Sequence, residues 1–491
     1  MNATAEETVQ PQRTLSWRHG FFVALGVPVL ILPSISSFAG IIGAFAIVVW
    51  LLSVFQGFMQ NMAYGELASR YPNAPGLPGF AQAVFRGKRG VNEYGPGKFL
   101  GGLSAWCYWF AWNPVLSIFA LLIGSYLVSL IPAFTDLAAQ YAWFEKVLSL
   151  CVGAVIYTVL ILINLKGVGG GAKAGYLLAA LSLIPLTIIS FAAFFSGKFD
   201  ITNITTNWFP TDWSWNFHGV ILFFGVMALA QWSACAWETA AIYAPQYKKP
   251  RKDIPKALFG CGIVCIFTYF IVQFACTGAM GVDGIAQHAN DPMLYLARES
   301  LGNIGAIISI IMLLAAMVLI IQTALLGSSN AMASMAEEGN LPKILGKTNK
   351  HNVPIVAMIV ISAFNMIMIV LGDSSASILA ASALGYVVAN IIALFSYVKA
   401  YQDRKKEAST QNPEEIFKAP KGWVFVALGF GLLQVLFYLA GIMVINVESY
   451  GGINTFIGVI IILCFIPLWL WAMWLSKRSD ARKKAAGAAS S

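Results

Sequence analysis

A single carboxyl group in a long apolar run is the residue of this sequence with the clearest capacity for chemistry. Glu238 lies in the stretch 231–255, which begins inside an apolar run at 219–230 and ends in a basic segment. A charge at the centre of a membrane helix costs roughly 2.5–3.5 kcal/mol on insertion scales, so such a residue usually faces a cavity or a partner. We expect Glu238 to bind or move a charged species. The alternative is a protonated carboxyl group that joins two helices.

The composition indicates the class of protein in which this carboxyl group acts. Of the 491 residues, 58% are hydrophobic and 11% are charged, whereas a soluble domain carries about 25% charged residues. The net charge of +9 resides in short segments between apolar runs, which argues against nucleic acid as a partner. All seven cysteines fall in apolar runs and the four histidines show no metal-ligand spacing, so we expect no disulfide framework, metal or cofactor.

Apolar runs of about 20 residues are long enough to cross the hydrocarbon core of a bilayer as helices. The sequence predicts an all-α integral membrane protein with twelve such helices, numbered here in chain order. These predicted helices span residues 20–40, 43–65, 99–129, 143–164, 174–196, 218–243, 257–280, 303–333, 353–371, 375–400, 421–446 and 453–476.

Lysine and arginine residues predict the orientation, because they are retained on the cytoplasmic side of a membrane. With the N-terminus inside, every one of the 31 basic residues is cytoplasmic except Lys146, Lys198 and Arg298. We therefore predict a plasma (inner) membrane protein with cytoplasmic tails at 1–19 and 477–491.

Two of the predicted helices contain interruptions. Gly26, Pro28 and Pro33 lie near the middle of predicted helix 1, and an interior proline costs a helix about 3 kcal/mol. The alternative there is a kink covered by neighbouring helices. Predicted helix 6 has small residues at 233–236 between two tryptophans. Interruptions at corresponding positions indicate a midplane site between inverted repeats. We expect a 5+5 inverted repeat at 20–196 and 218–400, with helices 11 and 12 peripheral at 421–476.

Several motifs resemble those of the amino acid–polyamine–organocation permeases. Trp232 and Glu238, followed by Pro250, Ile254 and Pro255, resemble the sixth helix of that family and the N-P-x-R-x-I-P sequence after it. Further resemblances are Gly26 and Pro33 in predicted helix 1, Tyr64 to Leu67 at the end of helix 2, Trp106 and Trp109 in helix 3, and the segment 327–342 at the end of helix 8.

The resemblance implies a secondary transporter that moves an amino acid or amine-like small solute by alternating access, and not an enzyme. It implies that the half-helix ends at the two interruptions bind the substrate, because N-terminal ends attract a carboxylate and C-terminal ends attract a cation. Pro28 replaces a glycine of the family and has no N–H, so amines, amides and unusual amino acids are candidates beside ordinary amino acids. The expected substrate-binding residues are Ala24, Gly26, Val27, Pro28, Ala111, Trp112, Trp232, Ser233, Cys235 and Ala236.

The coupling ion stays open between H+ and Na+. Some family members carry a lysine midway along helix 5 in place of sodium, and Ser182 stands near that position here. Gln322 and Thr323 are candidates for a cation site, although such groups more often form hydrogen bonds between helices. Glu238 is a candidate for protonation, because burial disfavours its carboxylate whereas an adjacent helix N-terminus favours it.

Other classes of function have less support in the sequence. A sodium-coupled or exchange transporter of a non-amino-acid solute fits the same motifs. A transporter-like sensor would be expected to carry an added soluble domain. A membrane enzyme would be expected to carry an H-E-x-x-H motif, clustered carboxylates or a phosphate-binding loop, and none is visible. A major facilitator would share the helix count but would consist of six-helix halves.

Overall fold

The computed structural model describes residues 15–85, 94–165, 171–234, 236–241, 244–351, 353–407 and 417–489. In these ranges the protein is helical and contains no strand, apart from one isolated β-bridge between Leu15 and Tyr247. Ten helical segments are long and apolar enough to cross a membrane by length and composition. The predicted all-α membrane class is confirmed.

The predicted count of twelve membrane helices is not confirmed by this criterion. One candidate span, Trp17–Arg70, covers predicted helices 1 and 2 together. Predicted helix 9 corresponds to Ile355–Leu371, which has 17 residues and is shorter than the other spans. The difference between ten and twelve therefore arises at these two places.

Among the described residues, the first half of the chain contains ten α-helices, three of which have eight residues or fewer. They are α1 (Trp17–Ala24), α2 (Ile35–Ile42), α3 (Ala46–Arg70), α4 (Gly76–Phe85), α5 (Pro96–Trp112), α6 (Val115–Leu130), α7 (Pro132–Gln140), α8 (Phe144–Asn164), α9 (Gly171–Phe195) and α10 (Thr202–Thr205). A 3-10 segment, Val27–Ser34, separates α1 from α2, and a second one, Gly43–Phe45, precedes α3.

The second half contains longer helices and a π-helix. They are α11 (Phe217–Ala234), α12 (Pro250–Gln287), α13 (Pro292–Glu337), α14 (Ile355–Leu371), α15 (Ser375–Glu407), α16 (Trp423–Leu433), α17 (Leu439–Tyr450), α18 (Ile453–Leu463) and α19 (Phe465–Ala489). The 3-10 segments Ala236–Ala241, Ala244–Gln246 and Lys343–Gly346 and the π-helix Gln434–Tyr438 complete this half. Gly281 and Gly302, with φ of 68° and 67°, kink α12 and α13.

One set of buried hydrogen bonds joins predicted helices 2, 6 and 7. Trp50 of α3 donates to Gln273 of α12 at 3.1 Å. The side chain of Asn61 in α3 donates to the carbonyl of Leu258 in α12 at 3.2 Å. Ser53 of α3 donates to the carbonyl of Met227 in α11. Because hydrocarbon offers no alternative partner, such bonds favour helices that stay together.

A second set joins predicted helices 3, 4, 8 and 9. Asn365 of α14 donates to the side chain of Asn113, between α5 and α6, at 2.9 Å. Asn164 of α8 and Gln322 of α13 exchange two side-chain hydrogen bonds of 3.0 Å each. The buried polar pairs thus divide these helices into two groups.

Burial differs strongly between the candidate spans. In the apolar window of Ser375–Asp403, 78% of the residues are buried, whereas in that of Ile453–Arg478 only 17% are buried. The α15 helix is therefore central, and α18 and α19 lie at the periphery.

Candidate functional site

The interruption of predicted helix 1 places its backbone inside the protein. The α1 helix ends at Ala24, and all eight residues of the 3-10 segment Val27–Ser34 are buried. Pro28 lies at the start of that segment, where its missing N–H removes no helical bond. A Cβ atom at Gly26 would lie 2.5 Å from Cδ2 of Leu178 in α9. A larger residue at position 26 would therefore require the side chain of Leu178 to shift.

The interruption of predicted helix 6 lies where small residues predicted it. The α11 helix ends at Ala234, and a 3-10 segment continues from Ala236 to Ala241. Cys235 lies outside the described residues, as does the side chain of Ala236. Trp237 is buried and donates to Asn61 of α3 at 3.1 Å. This bond fixes the new segment against predicted helix 2.

One side chain of α12 joins the two interruptions. The hydroxyl of Tyr269 lies 3.0 Å from the carbonyl oxygen of Val27 and 2.7 Å from that of Ser233. One proton is thus shared between two carbonyl groups. The hydroxyl of Ser233 lies 3.4 Å from that of Ser34. The two broken helices therefore meet at Ser233. Five of the predicted site residues lie at the two interruptions: Ala24, Gly26, Val27, Pro28 and Ser233.

Aromatic rings from α5 and α11 face each other beside this junction. The ring centroids of Trp112 and Trp232 are 6.4 Å apart, and those of Tyr108 and Trp112 are also 6.4 Å apart. Trp232 and Ala111 are buried and Trp112 is half-buried. The structure thus brings together the tryptophans predicted from two distant parts of the sequence.

Glu238 is buried, with 2% of its surface exposed. The hydroxyl groups of Tyr386 in α15 and Tyr108 in α5 lie near its carboxyl group, as does the thiol of Cys265. Its Oε1 atom has no hydrogen-bond partner within the described ranges. The site thus holds a carboxyl group with one oxygen free to accept a hydrogen bond. This group can take up a proton or face a cationic group.

The two predicted cation-site residues of α13 already have hydrogen-bond partners. Gln322 pairs reciprocally with Asn164, and Thr323 donates to the carbonyl of Leu319 at 2.9 Å. Groups of three or more His, Cys, Asp or Glu side chains that could hold a metal do not occur in the part of the chain that the structure describes.

The comparison with known proteins identifies the family. The profile of the family described as "Amino acid permease" matches residues 15–477. The chain belongs to the amino acid permease family. The resemblance to amino acid–polyamine–organocation permeases is thereby confirmed. Members of this family are transporters, so the expectation of a membrane transporter rather than an enzyme is confirmed as well.

Relatives of this permease carry related names. It is 24% identical over 345 residues to the "uncharacterized amino acid permease YecA" of Bacillus subtilis, an alignment that covers 68% of this chain and 72% of the relative. It is 22% identical over 340 residues to the arginine/ornithine antiporter ArcD2 of Lactococcus lactis, covering 66% and 65% of the two chains. A putative arginine/ornithine antiporter of Bacillus subtilis is 23% identical over 397 residues, covering 76% and 81%.

Three tyrosines of the permease site escaped the sequence-based prediction. Tyr108 precedes Trp112 by four residues, and this spacing places both on one helix face, so it was open to prediction. Tyr269 and Tyr386 lie in apolar runs far from both interruptions in sequence. Only the packing of α12 and α15 brings their hydroxyl groups to the site.

Proposed function

We propose that the permease moves an amino acid or an amine-like small solute across the plasma membrane by alternating access, with both termini in the cytoplasm. The observation that carries the proposal is the buried carboxyl group of Glu238, with an unpartnered oxygen, beside two interrupted helices. The two groups of hydrogen-bonded helices support a movement in which one group tilts against the other around this site.

The chemistry of the site favours a substrate with a protonated amine. The faces of Trp112 and Trp232 attract a cation by about 0.5–2 kcal/mol each. Glu238 adds a counter-ion when it is ionised. Two relatives are named arginine/ornithine antiporters, so basic amino acids belong among the first candidates. We propose the same substrate-binding residues as predicted from the sequence, including Ala111 and the residues at positions 235 and 236.

A carboxylate would be bound less completely at predicted helix 1 than in a site lined by glycines. The 3-10 segment from Val27 offers N–H groups to an anion, as helix N-termini do, but Pro28 has none. This favours amines and amides relative to α-amino acids without excluding the latter.

Coupling to protons is the mode that Glu238 supports. A buried carboxyl group that is protonated in one state and ionised in the other carries one proton per cycle, and this proton gains about 2.3 kcal/mol per 100 mV of membrane potential. The second candidate is sodium coupling or exchange, for which Gln322 and Thr323 would supply oxygen ligands. Their existing hydrogen bonds would have to open for that purpose.

Thermal melting of the purified permease tests the proposal. A ligand present at 100 times its dissociation constant stabilises the folded state by about 2.7 kcal/mol. The panel holds the common amino acids, ornithine, and the amines obtained by decarboxylation of arginine, ornithine and lysine. We expect stabilisation by at least one member, and uptake of that member into proteoliposomes under an inward proton gradient. Sugars and nucleosides serve as controls. Stabilisation by these controls alone would overturn the proposal.

A further inference from the structure

A second buried polar layer lies where predicted helix 11 meets α3 and α11. The side chain of Gln231 donates to Gln60 at 2.8 Å, and that of Gln434 donates to Gln231 at 3.5 Å. Tyr438 donates to Gln56 in the same layer. All five side chains are buried. Predicted helix 11 is therefore bonded to predicted helices 2 and 6, although it lies outside both proposed repeats.

The backbone of predicted helix 11 changes at this layer. Gln434 and Tyr438 are the first and last residues of a π-helix between α16 and α17. Such wide turns are rare and are often found at functional sites. The apolar face of a lipid-exposed helix needs no such turn. Here it accompanies two inward-facing polar side chains from one turn of the helix.

A close crossing of glycines holds the same two helices together at a second level. A Cβ atom built on Gly225 of α11 would lie 2.5 Å from the carbonyl carbon of Gly441 in α17. One built on Gly441 would lie 2.4 Å from the backbone nitrogen of Gly225. Backbones that approach in this way are characteristic of tight helix pairs in membranes. Together with the glutamine pair, the crossing fixes both the distance and the rotation of α11 against α17.

The buried polar layer lowers stability relative to an apolar contact, so packing alone does not explain it. The Oε1 atom of Gln434 and the Nε2 atoms of Gln56 and Gln60 have no hydrogen-bond partner among the residues described. Apolar side chains would fill the same volume without burying unpaired polar atoms. The glutamines are therefore better explained by orientation than by stability.

We propose that Gln434 is a positioning residue for the substrate site. Through Gln231 it fixes the end of α11, and thereby the ring of the next residue, Trp232, opposite Trp112. Predicted helix 11 then moves together with α3 and α11 during transport. This inference rests on the proposed function, because it takes Trp232 as a wall of the substrate site.

A double-mutant cycle tests the proposal. Gln434→Leu removes the hydrogen bond but keeps a side chain of similar size, and Trp232→Ala removes the ring that Gln434 is proposed to position. In the parent background we expect Gln434→Leu to raise the KM for uptake by about threefold to tenfold, which lies within the range found for residues that interact. In the Trp232→Ala background we expect no further increase. The probes are L-arginine and L-leucine, one basic and one neutral.

Tyr438→Phe is the matched control, because it removes a hydrogen bond from the same π-helix to α3 instead of α11. Its effect should be equal in both backgrounds. Size-exclusion chromatography and melting temperature establish that each variant is folded. Equal effects of Gln434→Leu in both backgrounds would overturn the proposal and leave the transport function intact.

The reactivity of an introduced cysteine provides a second measurement, which requires no substrate. It therefore tests the positioning role even if neither probe is transported. A cysteine at position 233, placed in a cysteine-free chain, reports on the end of α11 by its rate of reaction with a small methanethiosulfonate reagent. We expect Gln434→Leu to change this rate by at least about threefold, and Tyr438→Phe to leave it unchanged. Identical rates in all three proteins would refute the positioning role.

Discussion

The hydroxyl of Tyr269 lies 2.7 Å from the carbonyl oxygen of Ser233, the residue before the last of α11. The same hydroxyl lies 3.0 Å from the carbonyl oxygen of Val27. The carbonyl group of Ser233 lies in the last turn of α11, where the helical partner is missing, and that of Val27 lies at the start of the 3-10 segment. Because one proton serves both groups, a movement of predicted helix 1 against predicted helix 6 would change which carbonyl receives it. Tyr269 thus contacts both interruptions through a single hydroxyl group.

Removal of this hydroxyl should destabilise the permease. Tyr269→Phe leaves two buried carbonyl groups without their donor, and an unpaired buried group costs about 1–3 kcal/mol. We expect a lower melting temperature in detergent, with a partial recovery when substrate binds. The matched control is Tyr157→Phe, because the buried hydroxyl of Tyr157 has no hydrogen-bond partner within the described ranges. An equal loss of stability in both variants would contradict the role assigned to Tyr269.

The interruptions and the buried carboxyl group could be predicted from the sequence because local chemistry determines them. Pro28 and Pro33 disfavour a continuous helix, and small residues weaken the helix before Glu238. The partners could not be predicted in this way. Tyr269, Tyr386 and the π-helix at Gln434 depend on which helices pack together, and nearly uniform apolar sequences carry little information about rotation and pairing in a membrane.

The proline at the first interruption should control how well a carboxylate binds. Pro28→Gly supplies the N–H that the 3-10 segment lacks, so we expect tighter binding of α-amino acids relative to the corresponding decarboxylated amines. The quantity to measure is the ratio of the two dissociation constants, which is insensitive to protein yield. Pro33→Gly is the control, since it changes the same segment further from its N-terminal end. A ratio unaffected by Pro28→Gly would place the anionic end of the substrate elsewhere.

Variants of the hydrogen-bonded pair Asn164 and Gln322, between α8 and α13, distinguish a packing role from a cation site. Gln322→Leu and Asn164→Leu both break the two hydrogen bonds of the pair, and Asn164→Leu also removes the bond from Asn164 to the carbonyl of Leu160. Both should lower stability, by about 0.6 kcal/mol per bond, with the larger loss in Asn164→Leu. If Gln322 also binds sodium together with Thr323, only Gln322→Leu should change the sodium dependence of uptake. Uptake at several sodium concentrations, with the total salt held constant by choline, distinguishes the two roles. We expect the two variants to show the same sodium dependence.

The proposed orientation predicts which side of the membrane each exposed lysine occupies. Lys248 and Lys198 are both exposed, and we place the first inside and the second outside. On a cysteine-free background, a cysteine at 198 should react with an impermeant maleimide in intact cells. A cysteine at 248 should react only after the membrane is opened. Rapid labelling at 248 in sealed cells would reverse the assigned topology.

The carboxyl group of Glu238 should couple transport to protons. Its Oε1 atom lacks a partner in the described structure and the residue is buried. Burial favours the protonated form, whereas contact with water or with a cationic substrate favours the ionised form. Glu238→Gln imitates the protonated form. We expect this variant to bind substrate and to retain exchange, but to lose concentrative uptake and its dependence on pH.

Proteoliposomes with an imposed pH gradient, with and without sodium, provide the measurement. Glu238→Asp is the control, because it keeps an ionisable group one methylene shorter and should retain a weaker, pH-dependent uptake. If the glutamine variant concentrates the solute as well as the parent does, or if sodium alone drives uptake, the proton role is wrong. The buried carboxyl group would then serve as a partner for the amine of the substrate or as a bond between helices, and measured binding of amines to Glu238→Gln would decide between these two roles. A large loss of amine affinity indicates the first role, because the neutral amide cannot replace the charge of a carboxylate.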